Sequence, residues 1–406
     1  MIEKNTRSLH KNRLIIRSAI AIGLLAVVTL SGCSSSKVMS TTTTSTEIAQ
    51  NAGTVAVGGQ TGSPNVGIAP GSPVTSVPTS SGQEAIILGA DGTIVLVNLA
   101  TNKVTTTIAT NAVPSQNPDA LAVVKSGTLG VVVSRGASSG SLIPIDLALN
   151  KVLPAIPLPF QPVAVTMGNT GSDAYVVGDA GEMAQVDMVA MKVIKVVNLI
   201  PNQNAYLDSI ALTPNGLGAV VVDDGSSSAG NLALILSLPS LKIIASINIT
   251  NDPGAYLNDV VISNNGVSAW VLNGGYGDGT ITPIDIATAT RGGVISVGGG
   301  PLALQISLDQ KTCYVVNGDT GGGNLVVPVD ISGGIFQTGR SGSAPIQVGG
   351  GVNDYLDAIA LTSDGGVAIV VDRENGLLYP ISLSASLSGK PIAIGHSPIS
   401  ISIISQ

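Results

Sequence analysis

One pattern recurs along this chain and limits its possible folds more than any other feature. The clearest copy runs from Leu257 to Gly300, as LNDVVIS, VSAWVLN, TITPIDIA and GGVISVG, with NNG and GGYGDG among the breaks. Each run is apolar, rich in β-branched residues and too short for a helix. The breaks hold Asn-Gly, Gly-Gly and Asp-Gly pairs, which accept the positive φ of tight hairpin turns. One unit is therefore a four-stranded antiparallel meander, its strands lettered A to D. Strand A begins at Pro118, Pro162, Leu207, Leu257, Pro301, Leu356 and Pro398, at spacings of 42 to 55 residues. Strand B returns as GVVVS, AYVVG, AVVVD, AWVLN, CYVVN and AIVVD. A single four-stranded sheet cannot bury both faces, and units of this length bury them by stacking radially. The expected fold is all-β: a seven-bladed β-propeller of four-stranded antiparallel blades, spanning residues 82–406.

The two ends of the repeat array complement each other. Glu84–Thr110 supplies strands B, C and D of a first blade, and PISISIISQ at Pro398–Gln406 is a strand A without a blade. Pairing them closes the ring and removes two open sheet edges. Pro73–Pro78 also lies at the right distance to be that strand A, although Pro78 cannot donate to a ladder. The C-terminal closure is the favoured reading.

The repeat resembles the YVTN family of β-propeller proteins. The resemblance rests on Pro301 at a strand start, Cys313-Tyr314-Val315-Val316-Asn317 in strand B, and Pro283-Ile284-Asp285-Ile286-Ala287-Thr288 leaving strand C. It covers roughly Pro73 to Gln406 and implies the architecture; it implies no particular activity, since that family includes many extracytoplasmic proteins of undefined role. Blade 4 departs most, because LALILSLPSLKI lacks the Asp after strand C.

Ahead of the repeats, Lys4, Arg7, Lys11, Arg13 and Arg17 precede or interrupt an apolar stretch that ends at Leu30-Ser31-Gly32-Cys33. Residues 1–32 read as a signal peptide. The motif resembles a bacterial lipobox, which implies a lipid on Cys33 and an extracytoplasmic, membrane-anchored protein. Residues 33–81 are rich in Ser, Thr, Gly and Pro and read as a flexible tether. Beyond residue 32 the chain has 13 Lys and Arg against 24 Asp and Glu. That balance gives no electrostatic reason to bind nucleic acid. Cys313 has no partner for an internal disulfide once Cys33 is lipidated.

Histidine narrows the chemistry. His10 lies in the signal peptide, so His396 stands alone in the Gly395-His396-Ser397 turn. There is no His or Cys pair for zinc or copper and no nucleophile elbow for an acyl-transfer triad. Gly298–Gly300 and Gly321–Gly323 precede no helix that could receive a phosphate. Asp146, Asp187, Asp285 and Asp330, after strand C, are expected to bond the C–D turn backbone.

The remaining acids gather on one face. The B–C and D–A loops carry fifteen Asp and Glu residues against only Arg135 and Arg373, whereas the opposite face carries ten Lys and Arg. Three D–A loops end alike, at Tyr206-Leu207-Asp208, Tyr256-Leu257-Asn258 and Tyr355-Leu356-Asp357, with Tyr276 and Phe160 nearby. Asp119, Asp208, Asn258 and Asp357 share one position near the mouth of the central channel. The candidate binding residues are Tyr206, Asp208, Asp223, Asp224, Tyr256, Asp259, Tyr355, Asp357 and Asp372. A surface of this kind selects a cationic protein segment, a small organic cation or calcium, the last through oxygen-only ligands. The expected role is a non-enzymatic binding or scaffold module at the envelope. The alternative is a carboxylate-based, calcium-assisted hydrolase or lactonase.

Overall fold

The computed structural model describes Val77 and residues 82–405, apart from 111–116, 202–204, 225–229, 239, 253, 276–277, 319–322, 337–341 and 351–353. The segments read as signal peptide and tether, Cys33 among them, lie outside the described residues except for Val77. Tyr276 and Asp319 lie outside them too.

The fold is a seven-bladed β-propeller. Strand A of blades 1 to 7 is Pro398–Ser405, Asn117–Val123, Pro162–Met167, Leu207–Leu212, Leu257–Ile262, Pro301–Ile306 and Leu356–Leu361. Strand B is Gln83–Gly89, Leu129–Arg135, Asp173–Gly178, Gly218–Asp224, Ser268–Asn273, Thr312–Asn317 and Val367–Asp372. The C-terminal strand completes blade 1, pairing antiparallel with Gln83–Gly89 from Gln83 opposite Ser405 to Gly89 opposite Pro398. Of Pro73–Pro78, only Val77 is among the described residues, and it lies in the apolar cluster between blades 7 and 1.

The core is divided among seven apolar clusters, one at each interface between neighbouring blades. Strand alternation explains this. Val131 and Val133 of blade 2 turn toward blade 3, while Val132 turns toward blade 1. Strand B is therefore apolar on both faces, and Val, Ile, Leu and Ala fill the seams with few aromatics. Trp270, the largest fully buried side chain, sits between blades 5 and 6.

The outer strand follows a rule that the apolar pattern hides. Blades 2, 5, 6 and 7 carry a proline in strand C, at Pro144, Pro283, Pro328 and Pro380. A strand residue points its N–H and C=O to the same side. Leu153, Gly292 and Gly389 donate to the carbonyls of Pro144, Pro283 and Pro380 at 2.8, 2.8 and 2.6 Å, so the missing N–H also faces strand D. Those strands D break into short pieces, and in blade 6 only Ile346–Gln347 pairs among the described residues. Blades 1, 3 and 4, which lack the proline, keep continuous outer strands at Lys103–Ala109, Lys192–Asn198 and Lys242–Thr250.

The acids after strand C do what the turn requires. Asp146, Asp187, Asp285 and Asp330 accept backbone N–H bonds of 2.8–2.9 Å from Leu149, Val189 and Ala190, Thr288 and Ser332. Asn98 replaces them in blade 1, accepting from Thr101 at 2.9 Å.

Candidate functional site at the channel mouth

Every inner strand carries a β-bulge at the same place. One residue near the start of strand A, the second in six blades and the third in blade 2, is skipped in pairing with strand B in all seven: Ile399, Asp119, Val163, Asp208, Asn258, Leu302 and Asp357. A bulge re-aims its side chain and is common beside binding sites. Here it collects four polar and three aliphatic side chains around the axis.

A second ring stands one residue after the strand B partner of the residue that precedes each bulge. It holds Ala90, Arg135, Asp179, Asp224, Gly274, Gly318 and Arg373. Six of these share one backbone signature: Ala90, Asp179, Asp224, Gly274, Gly318 and Arg373 each donate their N–H to the carbonyl just before strand A. The two rings together contain Asp119, Asp179, Asp208, Asp224 and Asp357 against Arg135 and Arg373.

Arg135 organises one side of the mouth. Its Nε donates to Asp119 Oδ2 at 2.6 Å and its Nη2 to the Tyr206 hydroxyl at 2.7 Å. The guanidinium carbon lies 5.6 Å from the Tyr206 ring centroid, within cation–π range. Blade 2 is thereby joined to blade 4 above blade 3. Burial pushes the Asp119 carboxyl up to about 6 in spite of Arg135, and Asp179 and Arg373 also act on it, the first raising and the second lowering. Arg373 belongs to blade 7, so its field reaches Asp119 past blade 1.

Asp208 is a second perturbed group of the mouth. Burial, then the charge of Asp224, raise its carboxyl well above the usual range; Arg135 opposes them, and Asp223 and Asp119 add to the rise. Burial, followed by Asp208, likewise raises the Tyr206 phenol. Opposite them, Asp357 Oδ2 lies 3.5 Å from Arg373 Nη1. Burial pushes Asp357 up to about 6, with Arg373 acting against it. Burial makes the ionised forms of Asp119, Asp208 and Asp357 costly even with two arginines in the mouth, and protonation of these three is the outlet.

Of the residues singled out by sequence, Tyr206, Asp208, Asp223 and Asp224 come together on blade 4. Asp357 stands with Arg373 on the other side. Asp223 and Asp372 are fully buried and hold the D–A loops, accepting the N–H of Tyr206 at 2.9 Å and of Tyr355 at 3.1 Å. Asn273 does the same for Tyr256, at 3.1 Å. Asp259 turns into the wall between blades, where it accepts from the Ser209 hydroxyl at 2.9 Å and the Leu304 N–H at 3.2 Å. Burial still pushes it up to about 6. Phe160 is buried between blades 2 and 3, away from the face. Asn258 donates to the Pro301 carbonyl at 3.0 Å. Among the described residues, no group of three or more His, Cys, Asp or Glu is placed to hold a metal ion.

Sequence reading passed over two features. Arg135 and Arg373 looked like exceptions to an acidic face, whereas aligning the repeats puts both in the ring position of Asp179 and Asp224. His396 is an exposed turn residue, and it also has a partner: its Nδ1 lies 2.8 Å from Asp91 Oδ2, where the last blade meets the closing strand. The Ala90 N–H bonds the His396 and Ser397 carbonyls, both at 3.0 Å. A Cβ on Gly89 would lie 2.5 Å from the His396 carbonyl oxygen, so only glycine admits this turn.

Comparison with solved structures agrees with the fold. The chain is similar to a functionally unknown protein from Desulfotomaculum acetoxidans, with a TM-score of 0.63 at 15% identity, over 80% of this chain and 99% of that one. It is similar to the Pseudomonas aeruginosa periplasmic gluconolactonase, with a TM-score of 0.59 at 15% identity, over 80% and 99%. A chain of Kuenenia stuttgartiensis hydrazine synthase gives a TM-score of 0.54 at 16% identity, over 82% and 98%. No family model matches the sequence, and neither does any curated protein. Identities this low speak for a shared propeller and not for a shared activity.

Proposed function

We propose that the protein is a non-enzymatic, lipid-anchored envelope module of the YVTN type that binds a cationic group at its channel mouth. One observation carries this reading: the mouth concentrates Asp119, Asp208, Asp357, Asp179 and Asp224 around two arginines, and its central acids are raised toward neutrality. An entering ammonium or guanidinium would take the place of the protons that now relieve this crowding. Ile399, Val163 and Leu302, in the same bulge ring, give it an aliphatic flank. An organic cation or basic peptide suits the mouth better than calcium, since arginines separate its acids.

The test is equilibrium binding of a triarginine peptide at low salt, with calcium chloride in parallel. Wild type should bind the peptide, and the triple variant D119N, D208N, D357N should bind it at least tenfold more weakly. Equal binding by both proteins removes the mouth as the site.

The second reading is a carboxylate-based, calcium-assisted lactonase. It draws on the gluconolactonase of similar fold and on carboxyls near 6, values suited to proton transfer at neutral pH. Calcium-dependent opening of a sugar lactone, lost in the same triple variant, would favour it over the binding module.

Anchoring has its own test. Replacing Cys33 with Ser should move the protein from the membrane to the soluble fraction of the cell. Retention equal to wild type contradicts a lipid on Cys33.

A further inference from the structure

The end of the disc opposite the mouth carries the A–B and C–D turns, and its apolar side chains are spread unevenly. Among the described residues, the aliphatic side chains that stand furthest out are Val189, Leu149, Ile244 and Leu217, at 82, 72, 67 and 64% exposure. All four belong to blades 2, 3 and 4. Turn chemistry does not ask for them. The left-handed residue before strand D is Asn102 in blade 1 and Asn150 in blade 2, a type suited to positive φ, but blade 3 puts the exposed Met191 there at φ 51°. The continuous outer strands add to this. Their third residue, Thr105, Ile194 or Ile244, is skipped in pairing with strand C. In blade 1 Thr105 is tied to Glu84, its hydroxyl donating to Oε1 at 2.8 Å. In blades 3 and 4 the same bulge leaves an isoleucine in solvent.

Basic residues share the sector. At this end, blades 2 to 4 carry Lys125, Lys151, Lys192, Lys195 and Lys242 against Asp146, Asp173 and Asp187. The acids are engaged: Asp146 and Asp187 hold their turns, and Asp173 accepts from Ser172 Oγ and Gln185 Nε2 at 2.9 and 3.0 Å. Lys125, Lys151, Lys192 and Lys242 are exposed, and among the described residues none of them is in an ion pair. Lys195 crosses to the next blade, its Nζ donating to the Ser240 carbonyl at 2.5 Å, and Asn169 Nδ2 donates to the Pro214 carbonyl at 2.7 Å. These bonds join the turns of blades 3 and 4 into one surface.

Aliphatic tips among exposed lysines fit a lipid surface with anionic headgroups. A protein strand fits less well, because a lysine and a bulge at the start of strand D blunt an edge against ladder pairing. The course of the chain points the same way. Gln83 opens strand B of blade 1 at this end, opposite Ser405, and its side-chain oxygen accepts the N–H of Ser363, in the A–B turn of blade 7, at 2.9 Å. Residues 1–82 therefore join the propeller at this end, and a lipid on Cys33 would hold it toward the bilayer. We infer that the turn end of blades 2 to 4 rests on an anionic bilayer, with Leu149, Val189 and Ile244 in the headgroup layer and the lysines on the lipid phosphates. The surface faces away from the mouth and does not need the lipid on Cys33, so it holds or fails separately from both.

The test is sedimentation at low salt with vesicles of phosphatidylglycerol and phosphatidylcholine in equal parts, and with vesicles of phosphatidylcholine alone. The protein used starts at Ser34, which removes the signal segment and any lipid on Cys33 and keeps all seven blades. It should bind the anionic vesicles at least tenfold more tightly than the neutral ones. Two variants, L149S with V189S and I244S, and K151Q with K192Q and K242Q, change only exposed side chains. Each should melt as wild type and bind at least fivefold more weakly. A melting temperature lowered in one leaves the other to decide. L387S with K390Q, a leucine and a lysine exposed on blade 7, should bind as wild type. The inference is overturned if the protein does not sediment with anionic vesicles, if neither variant that keeps its fold binds more weakly, or if the blade 7 variant loses as much as they do. Self-association in place of vesicle binding, abolished by the aliphatic variant, would make the patch a contact between copies and overturn it as well.

Discussion

Deleting Pro398–Gln406 should abolish the soluble, cooperatively melting protein. The deleted strand supplies the whole inner ladder of blade 1, seven pairs from Gln83 to Gly89. It also brings Ile401 and Ile403 to the seam with blade 7, and Ile399 and Ile404 to the seam with blade 2. Full burial of one such side chain stabilises by about 1.5–3 kcal/mol. These four are half-buried, so their joint loss is on the order of 4 kcal/mol before any ladder bond is counted. A domain stable by roughly 5–15 kcal/mol would keep little margin. The exposed inner edge of Gln83–Gly89 would then template association between molecules. Size-exclusion chromatography and a thermal melt should show aggregate and no sharp transition. A truncated protein that elutes as wild type and melts at the same temperature would mean that the C-terminal strand does not hold the ring.

The second large effect is an inverted pH dependence of stability. Asp119, Asp259 and Asp357 are pushed up to about 6 in the folded protein. An aspartate in an unfolded chain titrates near 3.9. The folded state therefore binds more protons than the unfolded state between about pH 4 and pH 6. Stability contributed by these groups is full below the unfolded value and is lost as pH rises through 6. Each group accounts for on the order of 1–3 kcal/mol across that window. Asp285, Asp309 and Asp330, lowered chiefly by turn hydrogen bonds, work in the opposite direction, but only as pH falls below about 4. The melting temperature should therefore rise by several degrees from pH 7 to pH 5. The double variant D119N, D357N should flatten that rise. A melting temperature that falls steadily from pH 7 to pH 5 would contradict the crowded, shielded mouth.

The blades were legible because their signal is local and repeated. Strand starts at Pro162, Leu207, Leu257, Pro301, Leu356 and Pro398 stand in the structure where turn chemistry and alternation put them. The broken outer strands were equally open to reading from PID, PVD and YPI, but an apolar pattern registers proline as filler and not as a missing donor. Acidic residues at the mouth could be named from sequence, yet their roles could not be told apart. Asp223 and Asp372 became loop staples because the residue before strand A needs an acceptor for its N–H. Asp208 became a crowded channel group because a bulge turns it inward, and a bulge of one residue leaves no mark on an apolar periodicity. Arg135 shows the same limit: its partners Asp119 and Tyr206 are 16 and 71 residues away in the chain.

The central claim is that the mouth holds protons that a cationic group displaces. Calorimetric titration of the triarginine peptide at pH 6, repeated in two buffers of different ionisation heat, measures this directly. The account predicts binding that releases about one proton or more per peptide, with the release reduced in D208N and D119N. Absence of binding at low salt, or binding that releases no protons and is indifferent to both substitutions, would contradict it.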